Sequence, residues 1–305
     1  MGEARETRIK FYLGKMLTER PTEIKGPLTR LHWGDLIRRP IPPGDTLEQP
    51  YYAALRDLLR ENGWQKRAFA FEPGDVETAS HPLVLAKVRG PGCQESVILR
   101  SMEFHRHWGP YYEPPRDVPF DNKLDVAFWR GATTGKPTRP GNRFLLVHRW
   151  FRRRPDINVA FSHICQCSSS RARQLRPFMD GGKPPPFMLR HKYIISAEGN
   201  DKDSGLQWKL NSNSVVLMPR PRAASWLMET TLVPGHHYVL IRDDFADLGA
   251  KVDWCRAHPA ECKKIISNAK KFMSQFADDA AERELEREVL RRYFDVAGKL
   301  GFSPP

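Results

Sequence analysis

From about residue 124 onward the chain alternates short apolar runs with longer runs of helical period, and this alternation limits its fold more than any other feature. The runs 125–130, 157–161, 193–197, 214–218 and 238–241 are short and read as buried strands. Residues 142–151, 205–213, 244–258, 261–276 and 280–300 read as helices, and 187–191 as a short helical segment. Strands alternating with helices predict a parallel sheet covered on both faces. In such sheets ligands bind outside the carboxyl ends of the strands, so polar residues that follow a strand are where function is sought.

Before residue 124 the pattern is weaker. Residues 1–50 are proline-rich and irregular after a short opening helix. A helix is expected over 46–62, where Leu47, Tyr51, Leu55, Leu58 and Leu59 recur at helical spacing and Asn62-Gly63 forms the stop. Strands are expected at 81–87 and 96–99. The 305 residues suffice for two domains of about 150 each. The proline-rich run 109–119 is the best boundary, giving a first domain over 1–120, a second over 121–279 and a last helix over 280–305 that returns to the first.

The formal charge of +13 favours anionic partners: nucleic acid, membrane surfaces or phosphorylated small molecules. No helix-turn-helix, zinc-finger or RNP pattern supports nucleic acid. The five cysteines are too few and too scattered for a disulfide framework. Cys165-x-Cys167 beside His163 lacks the spacing and the second ligand pair of a zinc site, so no metal is expected. The charged start has no apolar core of a signal peptide, and no stretch approaches the roughly 18 apolar residues of a membrane span. A cytoplasmic protein is expected, with contact at the anionic inner membrane surface only as a peripheral one.

Four constellations carry chemistry. The first is Arg130-Gly131-Ala132-Thr133-Thr134-Gly135 with Arg143: a strand leading through a small-residue loop into a helix, which offers N–H groups, hydroxyls and guanidinium forks to phosphate. The second is Glu198-Gly199-Asn200-Asp201, followed by Lys209 and by Ser212-Asn213-Ser214, in which a helix N-terminus suits a diphosphate. The third is Trp226 with Glu229, a carboxylate able to bind ribose hydroxyls. The fourth is Glu103, His105 and His107, suited to acid/base work. Taken singly, each also reads as turn, cap or core.

The ordered set resembles glycosyltransferase family 90, the capsule-associated-protein type, and especially the bacterial members that act on lipopolysaccharide core. The likeness is carried by 119–120, Phe128-Trp129-Arg130-Gly131-Ala132-Thr133-Thr134-Gly135, Asn142-Arg143, 192–201, Leu206-Gln207-Trp208, 212–219, Trp226-Leu227-Met228-Glu229 and Pro234 to Leu248. It implies a GT-B architecture, two Rossmann-like domains facing across a cleft with a C-terminal crossing helix. It further implies a UDP-sugar donor, inversion at the anomeric carbon and no required cofactor or metal. Glucose or xylose is the expected sugar, and a glycan or glycolipid the expected acceptor. Two departures stand out. The eukaryotic branch takes its base from Val-x-x-x-Arg-Asp, but the matching stretch here ends Val88-Arg89-Gly90, so Glu103 is the substitute, with His105 and His107 behind it. The family also tends to place a basic residue before the aromatic at 208, where this chain has Gln207, leaving Lys209 to supply charge. The alternatives are a basic nucleic-acid-binding protein and a catalytically inactive family member.

Overall fold

The five apolar runs between residues 124 and 241 pair side by side in one direction. They form β5 (Leu124–Gly131), β6 (Ile157–Phe161), β7 (His191–Ile195), β8 (Val215–Met218) and β9 (Val239–Leu240). All four pairings are parallel, in the order β6-β5-β7-β8-β9. The computed structural model describes residues 2–17, 30–31, 49–67, 69–72, 74–75, 83–90, 96–103 and 107–299. It divides into two compact units: residues 1–105, 222–229 and 278–305 form the first, and 106–221 with 230–277 the second. The α/β class and the parallel sheets follow from the strand–helix alternation.

In the second unit, alternate strand residues face opposite sides, as the two-residue period requires. Ala127, Trp129, Val159, Phe161, Ile195 and Leu217 pack on one side with Leu146 and Val147 of the helix Arg143–Trp150 and with Val252 and Ile265 of the helices Leu248–Ala257 and Pro259–Met273. On the other side Ile194 packs with Leu189 and Trp208, and Phe128 stacks on His191 at 4.3 Å. Burial on both faces is why these strands read as continuous apolar runs. Register explains one shift from expectation. β7 begins at His191, two residues before the expected 193, because His191 pairs with Leu124. The helix Ser169–Leu175 has no counterpart in the sequence reading: it buries only Leu175 and so shows no apolar period.

The first unit holds β1 (Arg30–Leu31), β2 (Phe69–Glu72), β3 (Val84–Ala86) and β4 (Val97–Ile98), in sequential order, with β1 antiparallel and the rest parallel. The expected helix near 46–62 runs over Gln49–Glu61, and residues 46–48 lie outside the described residues. The helix Asp279–Lys299 belongs to this unit. Its buried Leu285, Val289, Tyr293 and Phe294 recur at helical spacing. The Tyr293 hydroxyl donates to Leu83 O at 2.9 Å and accepts from Ala70 N at 3.1 Å, tying this helix to the sheet. Glu286 accepts from Ser101 N and Oγ at 2.7 and 2.6 Å. Further along the same helix, Glu282 accepts two bonds from Arg8 of the helix Gly2–Leu13, at 2.7 and 2.6 Å, and one from Trp226 Nε1 at 2.6 Å. Trp226 stacks flat on Tyr12, ring centroids 3.8 Å apart.

Candidate donor site

The strand order places a switch point between β5 and β7: the chain leaves β5 toward β6 on one side, while β7 lies on the other. At such a point the loops after the two strands diverge and leave a crevice at their carboxyl ends, the usual ligand position in parallel sheets. Here those loops are Ala132-Thr133-Thr134-Gly135 and Ser196-Ala197-Glu198-Gly199-Asn200-Asp201. The small-residue loop of the first constellation and the Glu198–Asp201 stretch of the second therefore meet in space.

Arg143 holds them together. It is the first residue of the helix Arg143–Trp150, whose N-cap Asn142 accepts from Leu145 N at 2.9 Å. Its Nε donates to Ala197 O at 3.2 Å, and its Nη1 donates to Thr134 Oγ1 at 2.5 Å and Ala132 O at 3.3 Å. Gly135 N donates to Asn200 Oδ1 at 2.8 Å, and Arg139 Nη1 to Asn200 O at 2.5 Å. Two glycines make the approach possible. Gly135 has φ +92°, and a Cβ there would sit 2.7 Å from Gly199 O. A Cβ on Gly199 would lie 2.9 Å from Thr134 Oγ1 and 3.0 Å from Arg143 Nη2. An eight-residue helix start, a buried guanidinium and two glycine loops can receive a diphosphate.

Other expected groups lie elsewhere. Arg130 alternates with Trp129 along β5 and so faces away from Arg143, which lies over the Trp129 ring at 5.9 Å. Arg130 donates to Asn158 Oδ1 at 2.7 Å and pairs with Asp180, and that guanidinium holds the Asp180 carboxyl below the usual range. Gly131 leaves room for the Trp129 ring, which a Cβ would meet at 2.5 Å. Thr133 binds the loop after β6, donating to Cys165 O and accepting from Cys165 N, both at 2.8 Å.

Ser212, Asn213 and Ser214 precede β8 and so lie at the amino end of the sheet, opposite the switch point. There Ser214 Oγ donates to His191 O at 2.7 Å and Asn213 Nδ2 to Val118 O at 3.1 Å. The structure does not bring this turn to the Arg143 loops. Trp226 and Glu229 belong to the first unit, where both Glu229 oxygens accept from Ser225, N and Oγ, at 2.7 Å. Glu103 is buried in the turn Ser101–Glu103 after β4, and His107 is buried. His105 lies outside the described residues. Arg89, of the Val-x-x-x-Arg stretch, caps the helix Gly2–Leu13, donating to the carbonyls of Phe11 and Tyr12.

Lys209 does not act as a free cation. It is ion-paired with Asp203, which also accepts from Ser196 Oγ at 2.6 Å and Gly205 N at 2.9 Å. Sequence reasoning missed Asp203, Arg139 and the buried Lys202. For Lys202 and Asp203 the available signal was the charged run Asp201-Lys202-Asp203 in the loop that follows β7. Gln207 is wholly buried, and neither carboxamide atom is hydrogen-bonded among the described residues. Burial pushes the Asp203 carboxyl up, but the Lys209 charge and its hydrogen bonds outweigh that and hold it below its usual value. A depressed folded-state value adds stability above the unfolded pKa of about 3.9, and that stability is lost as pH falls through the folded value. Asp203→Asn is therefore expected to destabilise at neutral pH, with a cost that shrinks below about pH 4. Denaturant titrations of both proteins across pH test this; a cost independent of pH would show that the ion pair is not the cause.

A family model described as glycosyl transferase family 90 matches residues 112–283. O-glucosyltransferase LpsA of Dichelobacter nodosus is 31% identical over 288 residues, covering 90% of this chain and 85% of that protein. Uncharacterized protein 027R of frog virus 3 (isolate Goorha) is 35% identical over 97 residues, which is 30% of this chain and 10% of that one. Among solved structures, Anabaena Alr3699/HepE in complex with UDP-glucose is similar with a TM-score of 0.42 at 12% identity, over 68% of this chain and 63% of that one. A structural likeness that slight carries no argument.

Proposed function

We propose, from the premise that this chain belongs to glycosyl transferase family 90 and is a glycosyltransferase, that it moves a sugar from a UDP-sugar to a glycan hydroxyl with inversion. The observation that carries the donor assignment is the Arg143 clamp at the β5/β7 switch point. The diphosphate is received by the loops at 132–135 and 198–201 and by the start of the helix Arg143–Trp150, and positive charge there stabilises the leaving UDP. Glucose is the favoured sugar, because the relative that matches nearly the whole chain is an O-glucosyltransferase. The acceptor is a glycolipid of the lipopolysaccharide-core kind or another cell-surface polysaccharide, and the two units are the halves of a GT-B enzyme.

Attack opposite a leaving diphosphate needs a base for the acceptor hydroxyl. Glu103 is the proposed base, with His105 and His107 as the other acid/base groups. Calorimetry with UDP, GDP and CMP tests the donor assignment: UDP is expected to bind at least tenfold more tightly than the others, and equal binding of all three overturns it. Glu103→Gln is expected to keep UDP affinity and to lower turnover by about 100-fold. Unchanged turnover removes Glu103 from the chemistry.

A further inference from the structure

Eight cationic side chains and two carboxylates lie between Arg149 and Lys183, a net +6 of the chain's +13. The fold gathers them at the β6 edge of the second unit. The Phe178 ring packs on His148 at 4.6 Å and on Phe151 at 5.3 Å. The Arg171 guanidinium lies over the Phe144 ring at 5.6 Å. The segment Ser169–Phe178 therefore runs along the helix Arg143–Trp150, and the cations of both are neighbours.

Arg149, Arg152, Arg153, Arg173 and Arg176 are exposed; Arg149 lies in the field of Asp244 and Arg152 in that of Asp180, and each of those carboxylates is ion-paired with another arginine, Arg242 and Arg130. The two carboxylates of the run are engaged elsewhere: Asp156 with Arg154 at 2.6 Å and Arg256 at 2.8 Å, and Asp180 with Arg130. Gathering a net positive charge on one face raises the free energy of the isolated protein, and an anionic surface relieves it. Leu145, 38% exposed, stands one helical turn from Arg149 and adds an apolar contact beside the charge.

We propose that this face docks the second unit on a bilayer surface through lipid phosphates. Its purpose rests on the glycolipid-acceptor reading above, since no helix among the described residues is long and apolar enough to cross a membrane. Phosphate matches the guanidinium fork. Nucleic acid would also supply phosphate, but single-strand binding needs open ring faces for base stacking. Here Phe144 is buried, Phe151 and Phe178 pack on each other, and the Arg152 guanidinium lies 4.9 Å over Phe151.

The test is flotation of the full chain with vesicles of phosphatidylcholine alone or mixed with phosphatidylglycerol. Binding to the mixed vesicles only, weakening as salt rises, is the expected result. Each arginine near an anionic surface contributes about fivefold to partitioning, so replacing all five by glutamine should lower it by at least about 100-fold. Replacing them by lysine should largely retain it. Equal binding to neutral vesicles, full binding by the glutamine variant, or tighter binding to duplex DNA than to vesicles would each overturn the proposal. UDP affinity, measured on the same samples, reports separately on the transferase reading and shows that the glutamine variant remains folded.

Discussion

Arg143→Ala is expected to lower turnover with a UDP-sugar by about 10²–10³-fold, the range for removing one preorganised donor from a developing anion. Two consequences of the substitution act together. The guanidinium charge disappears from the start of the helix Arg143–Trp150, where the leaving diphosphate is proposed to form. In addition, the carbonyls of Ala132 and Ala197 and the Thr134 hydroxyl lose their common donor. The loops after β5 and β7 then keep only the bonds that Gly135 N and Arg139 make to Asn200, and misplacing bound groups by about 1 Å can itself cost 10²-fold. Arg143→Lys retains charge but cannot reach three acceptors with a planar fork, so it should recover only part of the loss. Turnover assays with calorimetry on UDP separate the two contributions: the lysine variant should bind UDP better than the alanine variant while turning over slowly. Unchanged UDP affinity and turnover in Arg143→Ala would remove this residue from the donor site.

Glu282→Ala is expected to destabilise the first unit by about 3–5 kcal/mol, the cost of breaking a buried ion pair from one side. Both side chains of the pair are largely buried, Arg8 at 12% and Glu282 at 3% exposure. The substitution would leave the Arg8 guanidinium without these two bonds and the Trp226 indole N–H without its acceptor. Glu282→Gln keeps the shape but not the charge and should cost less. Differential scanning calorimetry is the measurement, and a fall in melting temperature of about 10 °C is expected for the alanine variant, from the few degrees per kcal/mol typical of a unit this size. A change within about 2 °C would mean that Arg8 and Trp226 find water or other partners without cost.

Much of the fold was readable because its strands are buried on both faces. Runs such as Val159-Ala160-Phe161 and Val215-Val216-Leu217-Met218 have few alternative readings. The helix Ser169–Leu175 was not readable, because its signal is a Ser168 cap and not an apolar stripe. Strand order was also hidden. Nothing local to Tyr193 says that it pairs with both Ala127 and Val215.

The same limit governed the site. Sequence proximity grouped Ser212-Asn213-Ser214 with Glu198-Gly199-Asn200-Asp201, whereas the course of the chain through the helix Leu206–Leu210 carries the former to the other end of the sheet. The charges of Lys209 and Arg130 were evident from sequence, but their engagement by Asp203 and Asp180 is a property of packing. Arg143 was identified because a strand leading through a small-residue loop into the helix read over 142–151 puts its guanidinium where a phosphate would bind.

The first unit is assembled from three separate stretches, the last beginning at residue 278. This arrangement dictates an order of events during synthesis. The second unit has every residue it needs once the chain has emerged past residue 277, but Tyr12, Trp226 and Glu282 cannot meet until the final stretch appears. The usual N-terminal-first sequence is therefore reversed, and the half made earliest is completed last. During that interval the helix Gly2–Leu13, which buries Ile9, Tyr12 and Leu13 in the finished protein, lacks the helix Asp279–Lys299 as a packing partner. A nascent chain stalled short of residue 278 should consequently be held by chaperones, and proteases should cut its first hundred residues before they cut the sheet of the second unit.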